Sequence, residues 1–289
     1  MIRSVDIELP NITLATLQCG QGPLVICAHG FPDTAHSFEP VLQHLAAAGY
    51  HAVAPFLRGY APSALAADGD YRITTVADDL LALIDALGAE RAVLVGHDWG
   101  AVATYIAAAK APDKLAAIVT AAVPHLRRFL LQPSARQLYR SRYMGFFQLR
   151  GIAERRMAAD DFAWLRALIK HWSPSWQADA RALAPVLASL SQPQYQRAAL
   201  GYYRSLPGVL ANPRNWPLIG APLAVPAQVI CGAQDGCIGA EMFESQAHLF
   251  SAGYALSRFE DAGHFMHCEQ PQRFAEVVLA HLAQHAPTA

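Results

Sequence analysis

At 289 residues the chain is long for one simple domain and short for two full ones, which fits a core carrying an insertion. Hydrophobic residues make up 53% and charged residues only 16%, enough for a large core. A formal net charge of −1 argues against nucleic acid or an anionic membrane surface as a partner.

The N-terminal residues Met1 to Asp6 contain no apolar signal-peptide core, and no run of about 18 apolar residues suggests a membrane span. Five cysteines, at 19, 27, 231, 237 and 268, form an odd set without a C-x-x-C pair. Buried free thiols in a reducing compartment are the simplest reading, so a cytoplasmic location is expected.

Ser4–Leu9 and Ile12–Leu17 read as antiparallel strands joined by a Pro10-Asn11 turn. Pro23–Ala28 is a buried strand running into His29-Gly30-Phe31-Pro32-Asp33. Ala35–Ala48 reads as one amphipathic helix stopped by Gly49, and His51–Pro55 as a strand. Thr75-x-x-Asp78 resembles a capping box opening a helix over Val76–Leu87.

The stretch from Ala92 to Val102 is the most informative. An apolar strand meets Gly96-His97-Asp98-Trp99-Gly100, and an alanine-rich helix follows from Ala101 to Lys110. The two glycines allow strand and helix backbones to approach closely around a sharp turn. That turn presents a carboxylate, which attacks a saturated carbon to leave an alkyl-enzyme ester for water to cleave. Asp98 also has a bland alternative, as the N-cap of the following helix.

Leu115–Val123 is the next strand. From about Pro124 to Pro217 the periodicity is helical and aromatics are dense, which predicts a helical cap. Thirteen arginines stand there against four acids, Glu154, Asp160, Asp161 and Asp179. They form either a rim for anionic substrates or merely the solvated faces of helices. The core resumes with the strand Ala227–Gly232 and reaches Asp235 just past its end. Gly239–Phe250 reads as helical, Ala255–Phe259 as the last strand, and a closing helix starts at Pro271. His264 follows the last strand after Gly263. Asp261 and Asp33 compete with Asp235 as the acid, and His267 and His281 with His264 as the base.

Strand, Gly-x-Asp-x-Gly and helix, with acid and histidine following in the order Asp98, Asp235, His264, resemble the nucleophile elbow and triad of an α/β-hydrolase. The nucleophile is Asp98 where serine hydrolases carry Ser. With His29-Gly30-Phe31-Pro32, Gly263-His264-Phe265 and Glu269-Gln270-Pro271, the chain looks like the epoxide hydrolase branch. The resemblance implies a mostly parallel sheet flanked by helices, with 1–123 and 218–289 as core and 124–217 as cap. It implies an oxyanion hole from the Phe31 and Trp99 backbone N–H groups and substrate contact by Trp99, Phe31 and Pro32, while His29 serves the backbone structurally. Tyr143-Met144-Gly145-Phe146-Phe147-Gln148 and Ala199-Leu200-Gly201-Tyr202-Tyr203-Arg204 resemble the two cap segments whose tyrosines donate to an epoxide oxygen. That selects Tyr143 and Tyr203 and leaves Tyr202 to packing.

An epoxide opens to an alkoxide, a poor leaving group that needs a proton donor, whereas a halide needs none. The expected reaction is therefore an epoxide plus water giving a vicinal diol, without metal or cofactor. Oligomeric state stays open. A haloalkane dehalogenase using the same Asp98 is the alternative, although Phe31 stands where that family often has Asn. A non-enzymatic binding protein on the same scaffold would predict a broken triad.

Overall fold

The computed structural model describes residues 1–285, so the last four residues of the expected 218–289 core segment lie outside the described residues. Its core is one eight-stranded sheet in the order β1-β2-β4-β3-β5-β6-β7-β8. The strands are β1 (Arg3–Leu9), β2 (Ile12–Cys19), β3 (Leu24–Ala28), β4 (His51–Pro55), β5 (Ala92–His97), β6 (Leu115–Ala121), β7 (Ala227–Gly232) and β8 (Tyr254–Phe259). Only the β1–β2 and β2–β4 pairs are antiparallel. Central β5 and β6 are buried along their whole length because helices cover both faces of the sheet.

On one face lie α1 (Glu39–Ala47) and, at the end of the chain, α12 (Pro271–His285), packed with Val93, Val95 and Val119. On the other lie α2 (Ile73–Ala86) and α3 (Trp99–Lys110). Nine of the twelve residues of α3 are buried, which its run of small alanines permits. Between β6 and β7 come the cap helices α4 (Leu126–Leu131), α5 (Ala135–Arg140), α6 (Arg142–Phe146), α7 (Ile152–Trp172), α8 (Ala180–Ser189), α9 (Pro193–Ala211) and α10 (Trp216–Gly220). Backbone from Ala159 to Phe162 interrupts α7. Phe147, Leu165 and Trp172 of the cap share one apolar cluster with Trp99 and Ile106 of the core. The short α11 (Met266–Glu269) follows β8.

The strand order reverses between β3 and β5, since β4 lies on one side of β3 and β5 on the other. Such a switch point opens a crevice at the carboxyl ends of the strands. Residues 29–33, 98, 235 and 264 all follow carboxyl ends of strands.

Four local expectations are corrected. Ala35–Phe38 forms a 3₁₀ turn and α1 begins only at Glu39, with Pro40 in its first turn. The second helix starts at Ile73, and the Thr75 hydroxyl donates to Asp70 Oδ2 (2.8 Å) instead of capping. Gly239–Phe250 holds two 3₁₀ turns, Ala240–Phe243 and Ala247–Leu249, because Glu244 is extended and Ser245 takes φ +57°. Strand β6 ends at Ala121, since Ala122 turns to φ +66°.

Candidate active site

Asp98 sits between β5 and α3 with φ +50°, a conformation that costs a non-glycine residue roughly 1–3 kcal/mol. Close approach explains the flanking glycines. A Cβ on Gly96 would overlap the Gly100 carbonyl, and one on Gly100 would overlap that of Ala28. A Cβ on Gly30 would strike Asp98 Oδ1. The Asp98 side chain makes no capping hydrogen bond to α3. Its Oδ1 instead accepts from the Phe31 backbone N–H at 2.7 Å, which removes the helix-cap alternative. Among the described residues the Trp99 backbone N–H donates to no protein acceptor.

His264 is fully buried. Its Nδ1 bonds Asp235 Oδ2 at 2.8 Å, and its Nε2, otherwise unpartnered, lies 3.7 Å from Asp98 Oδ2. The other Asp235 oxygen accepts from the backbone N–H groups of Cys237 (2.6 Å) and Ile238 (2.9 Å). That leaves the acid one direction in which to hold the ring. Burial alone would lower the His264 pKa. The charge and hydrogen bond of Asp235, with Asp98 adding to them, overcome burial and push it up to about 10.

The frame around His264 comes from the cap. The Trp172 carbonyl accepts from Gly236 N–H (3.1 Å) on the acid loop and from His264 N–H (3.0 Å) on the base loop. The Trp172 ring leans on the His264 ring at 5.1 Å. Next to it, the Ser173 hydroxyl accepts from Phe265 N–H and donates to Glu269 Oε1, which also accepts from Gly263 N–H. From the opposite side, His97 Nε2 donates to the His264 carbonyl at 2.9 Å. Burial lowers the His97 pKa, which keeps this ring neutral.

Tyr143 on α6 and Tyr203 on α9 stand edge to face, 5.9 Å between ring centres. The Tyr143 hydroxyl contacts Cys237 Sγ at 3.4 Å. The Tyr203 hydroxyl is buried, and neither it nor the Trp99 indole N–H finds a partner of ordinary geometry. Burial raises both phenols well above their usual range, so both are neutral donors, although the nearby indole offsets part of the rise at Tyr203. Tyr143 as a whole stays part-exposed, but packing around its hydroxyl is dense enough for burial to dominate. Arg204 joins the two tyrosine-bearing segments, donating to the Phe147 carbonyl (2.9 Å) and to Glu154 (2.6 Å), while Gln148 donates to the Tyr203 carbonyl. Tyr202 points away and donates to the Arg58 carbonyl.

Asp98, Trp99, Tyr143 and Tyr203 line one narrow cavity of about 50 Å³. Its remaining wall is mainly aliphatic, from Ile73, α3, α4, α9 and α10. Of the cap's aromatics Phe129, Tyr143 and Tyr203 reach this wall, while Phe146, Phe147, Trp164 and Trp172 do not. Pro32 is absent from the lining. It occupies the corner of a turn closed by Asp33 N–H to the Gly30 carbonyl, and borders a separate groove with Asp33 and Trp176. Phe31 contributes its N–H, while its ring is sealed among Phe147, Trp172 and Tyr203. No arginine lines the cavity among the described residues; Arg150, Arg155, Arg197 and Arg204 border a different surface groove.

The competing residues lie elsewhere. Asp261 is exposed. His267 is fully buried, not a surface residue, and bonds Asp33 at 3.2 Å. His29 bonds the Gly30 carbonyl and accepts from Leu57 N–H. Among the described residues two buried sets of metal-type donors occur, Asp33 with His97 and His267, and Asp235 with Cys237 and His264. In both the carboxylate is already committed to protein donors. From sequence Cys237 is one of five thiols, and Trp172 is one aromatic among many in the cap. The position of Cys237 two residues after Asp235 was its sole local signal, and Trp172 had none.

Residues 23–271 match the model of the alpha/beta hydrolase fold family. Epoxide hydrolase A of Mycobacterium tuberculosis (strain ATCC 25618 / H37Rv) is 31% identical over 319 residues, covering 96% of each chain. The epoxide hydrolase of Caballeronia sordidicola is 31% identical over 268 residues, covering 81% of this chain and 79% of its own. The crystal structure of epoxide hydrolase A from Mycobacterium thermoresistibile superposes with a TM-score of 0.85 at 26% identity over 100% of both chains.

Proposed function

From the premise that this chain belongs to the epoxide hydrolases of the α/β-hydrolase fold family, we propose that it opens an epoxide with water to a vicinal diol through an ester on Asp98. The observation that carries the reading is the pairing of a carboxylate at the elbow with two neutral phenols on the same cavity. Asp98 Oδ2 attacks a ring carbon while Oδ1 stays with the Phe31 N–H. The C–O bond breaks, and Tyr143 and Tyr203 share a proton with the departing oxygen. Esterification removes the Asp98 charge, one of the influences holding His264 protonated, so the imidazolium gives its proton up to the new alkoxide, completing the first hydroxyl, and the neutral imidazole becomes a base. Held by Asp235, it deprotonates a water that attacks Asp98 Cγ. The Phe31 and Trp99 N–H groups receive the oxyanion; collapse breaks the Cγ–Oδ2 bond, the departing oxygen takes the proton of the new acid, and the diol leaves with Asp98 ionised and His264 protonated as at the start.

In this reading residues 124–217 roof a core formed by 1–123 and 218–289. The partners are a small epoxide and water. No described helix is long and apolar enough to cross a membrane. All five cysteines are free, which supports an intracellular, cytoplasmic setting. For a halide, Trp99 Nε1 would be the available ring donor, but Phe31 supplies no second one.

His264→Gln incubated with epoxide should accumulate one substrate mass by intact-protein mass spectrometry, mapped by peptides to Asp98. Asp98→Ala should show no adduct. Diol formed at the parental rate by Asp98→Ala, or an adduct mapped elsewhere, would sink the assignment. Halide release from haloalkanes at rates matching diol formation would favour the dehalogenase reading.

A further inference from the structure

We propose that the reacting centre has a single arm, and that the substrate is a terminal epoxide carrying one uncharged aliphatic chain. This rests on the reading of Asp98 as nucleophile toward an epoxide.

The cavity runs from Asp98 along α3. Its lining follows α3 from Asp98 to Val102 and Ile106, eight residues that span roughly 12 Å of helix. Leu126 and Leu130 of α4, Val209 of α9 and Ile219 of α10 complete this arm. No cationic side chain faces it, and its one ionised group is Asp98, which disfavours an anionic tail. A charged chain end would also find no partner there.

On the opposite side of the centre an aromatic cluster separates Asp98 from a second groove, which Tyr143 and Trp172 border together with Arg140, Arg142 and Arg156. The Phe31 ring packs edge to face with Phe147 at 5.3 Å and with Tyr203 at 5.4 Å. Trp172 completes the wall, 6.5 Å from Phe31 and 5.1 Å from His264. Phe31, Phe147 and Trp172 are all buried to 1% exposure or less, and none of them lines the cavity. An epoxide substituted on both carbons would have to drive its second substituent into this close-packed cluster. A terminal epoxide has only hydrogen on that side.

The test is a series of terminal epoxides from epoxybutane to epoxydodecane, run beside isomers with the ring in mid-chain, with diol measured by gas chromatography. Each methylene that enters the arm should raise kcat/KM roughly two- to fourfold, until the arm is full and the values level off. Mid-chain isomers should be slower by about two orders of magnitude, the scale on which misplacing the reacting atoms is felt. A carboxylate at the far chain end should lower kcat/KM relative to its methyl ester. In Ile106→Trp the ratio of kcat/KM for epoxydecane to that for epoxybutane should fall at least about tenfold, a measure independent of how much enzyme folds. Mid-chain isomers as fast as terminal ones, or a ratio unchanged in Ile106→Trp, would overturn the single arm while leaving the epoxide reading in place. Inactivity on every member of the series, epoxybutane included, would overturn both.

Discussion

Tyr143 and Tyr203 share a proposed task but differ in their surroundings, and the same substitution should therefore raise stability at Tyr203 and not at Tyr143. The Tyr203 hydroxyl is buried with only the Trp99 indole beside it, outside ordinary hydrogen-bond geometry, whereas that of Tyr143 rests on Cys237 Sγ. Removing an unsatisfied buried hydroxyl recovers its desolvation penalty, about 1–3 kcal/mol. Unfolding entropy near 2.1 cal/mol/K per residue converts this, for 289 residues, to a rise in Tm of roughly 2–5 °C in Tyr203→Phe. Tyr143→Phe loses a weak contact to sulfur, so its stability should stay level or fall by about 1 kcal/mol or less. Both should lose about 10²–10³ in the rate of ester formation, the usual effect of deleting one donor to a developing oxyanion. Thermal unfolding followed by circular dichroism, paired with single-turnover kinetics, reads both quantities. A Tyr203→Phe protein melting below its parent would refute the unpaired hydroxyl. One melting higher yet turning over normally would refute its part in ring opening.

Three further expectations follow from other contacts. His264 binds its proton more tightly folded than unfolded, so the stability this supplies is complete below about pH 6.5 and is lost as pH rises through about 10; Asp235→Asn should flatten the fall in Tm across that window. Arg58 and Asp79 form a buried two-pronged pair (2.6 and 2.7 Å), and Asp79→Asn strands the guanidinium, costing about 3–5 kcal/mol by urea denaturation. Arg204→Leu frees the Phe147 carbonyl and Glu154 together, so kcat should drop more than KM changes, with partial recovery in Arg204→Lys; equal effects of Leu and Lys would show that geometry between the tyrosines is held by other contacts.

What the sequence disclosed follows the range of the interactions. Asp98 announces itself locally, because the close approach of two backbones demands glycine on either side. Asp235 and His264 stand just past strand ends, and the structure brings their side chains to 2.8 Å of each other. Tyr143 and Tyr203 were reachable only through resemblance to known cap segments. Cys237 meets Tyr143 across 94 residues, and no spacing encodes that contact. Gly239–Phe250 was misread because apolar residues at helical spacing can equally anchor two short turns. Here Met242, Phe243 and Leu249 are buried by the core without any continuous helix. Aromatic density in the cap was visible in the sequence. Which of those rings reach the cavity was not, since composition does not say which face of a helix meets substrate; Phe129, Tyr143 and Tyr203 do.

The carbonyl of Trp172 has a consequence for anyone recombining such proteins. One oxygen serves an amide on the acid loop and an amide on the base loop, so a fragment of the insertion is a strut of the core's own machinery. The natural unit of exchange is then smaller than the whole insertion. Helices α4 to α6 can be traded for another scaffold's to reshape the arm, provided a tyrosine is kept at 143 and a glutamine at 137, whose amide donates to the Cys237 carbonyl and accepts from Gly239 N–H on the acid loop. The segment from Trp172 to Ser175 must travel with the core that supplies Gly236, His264 and Glu269. A library built by shuffling whole insertions would detach that strut in every crossover and return mostly misaligned imidazoles. One built by shuffling residues 126–150 would leave it untouched.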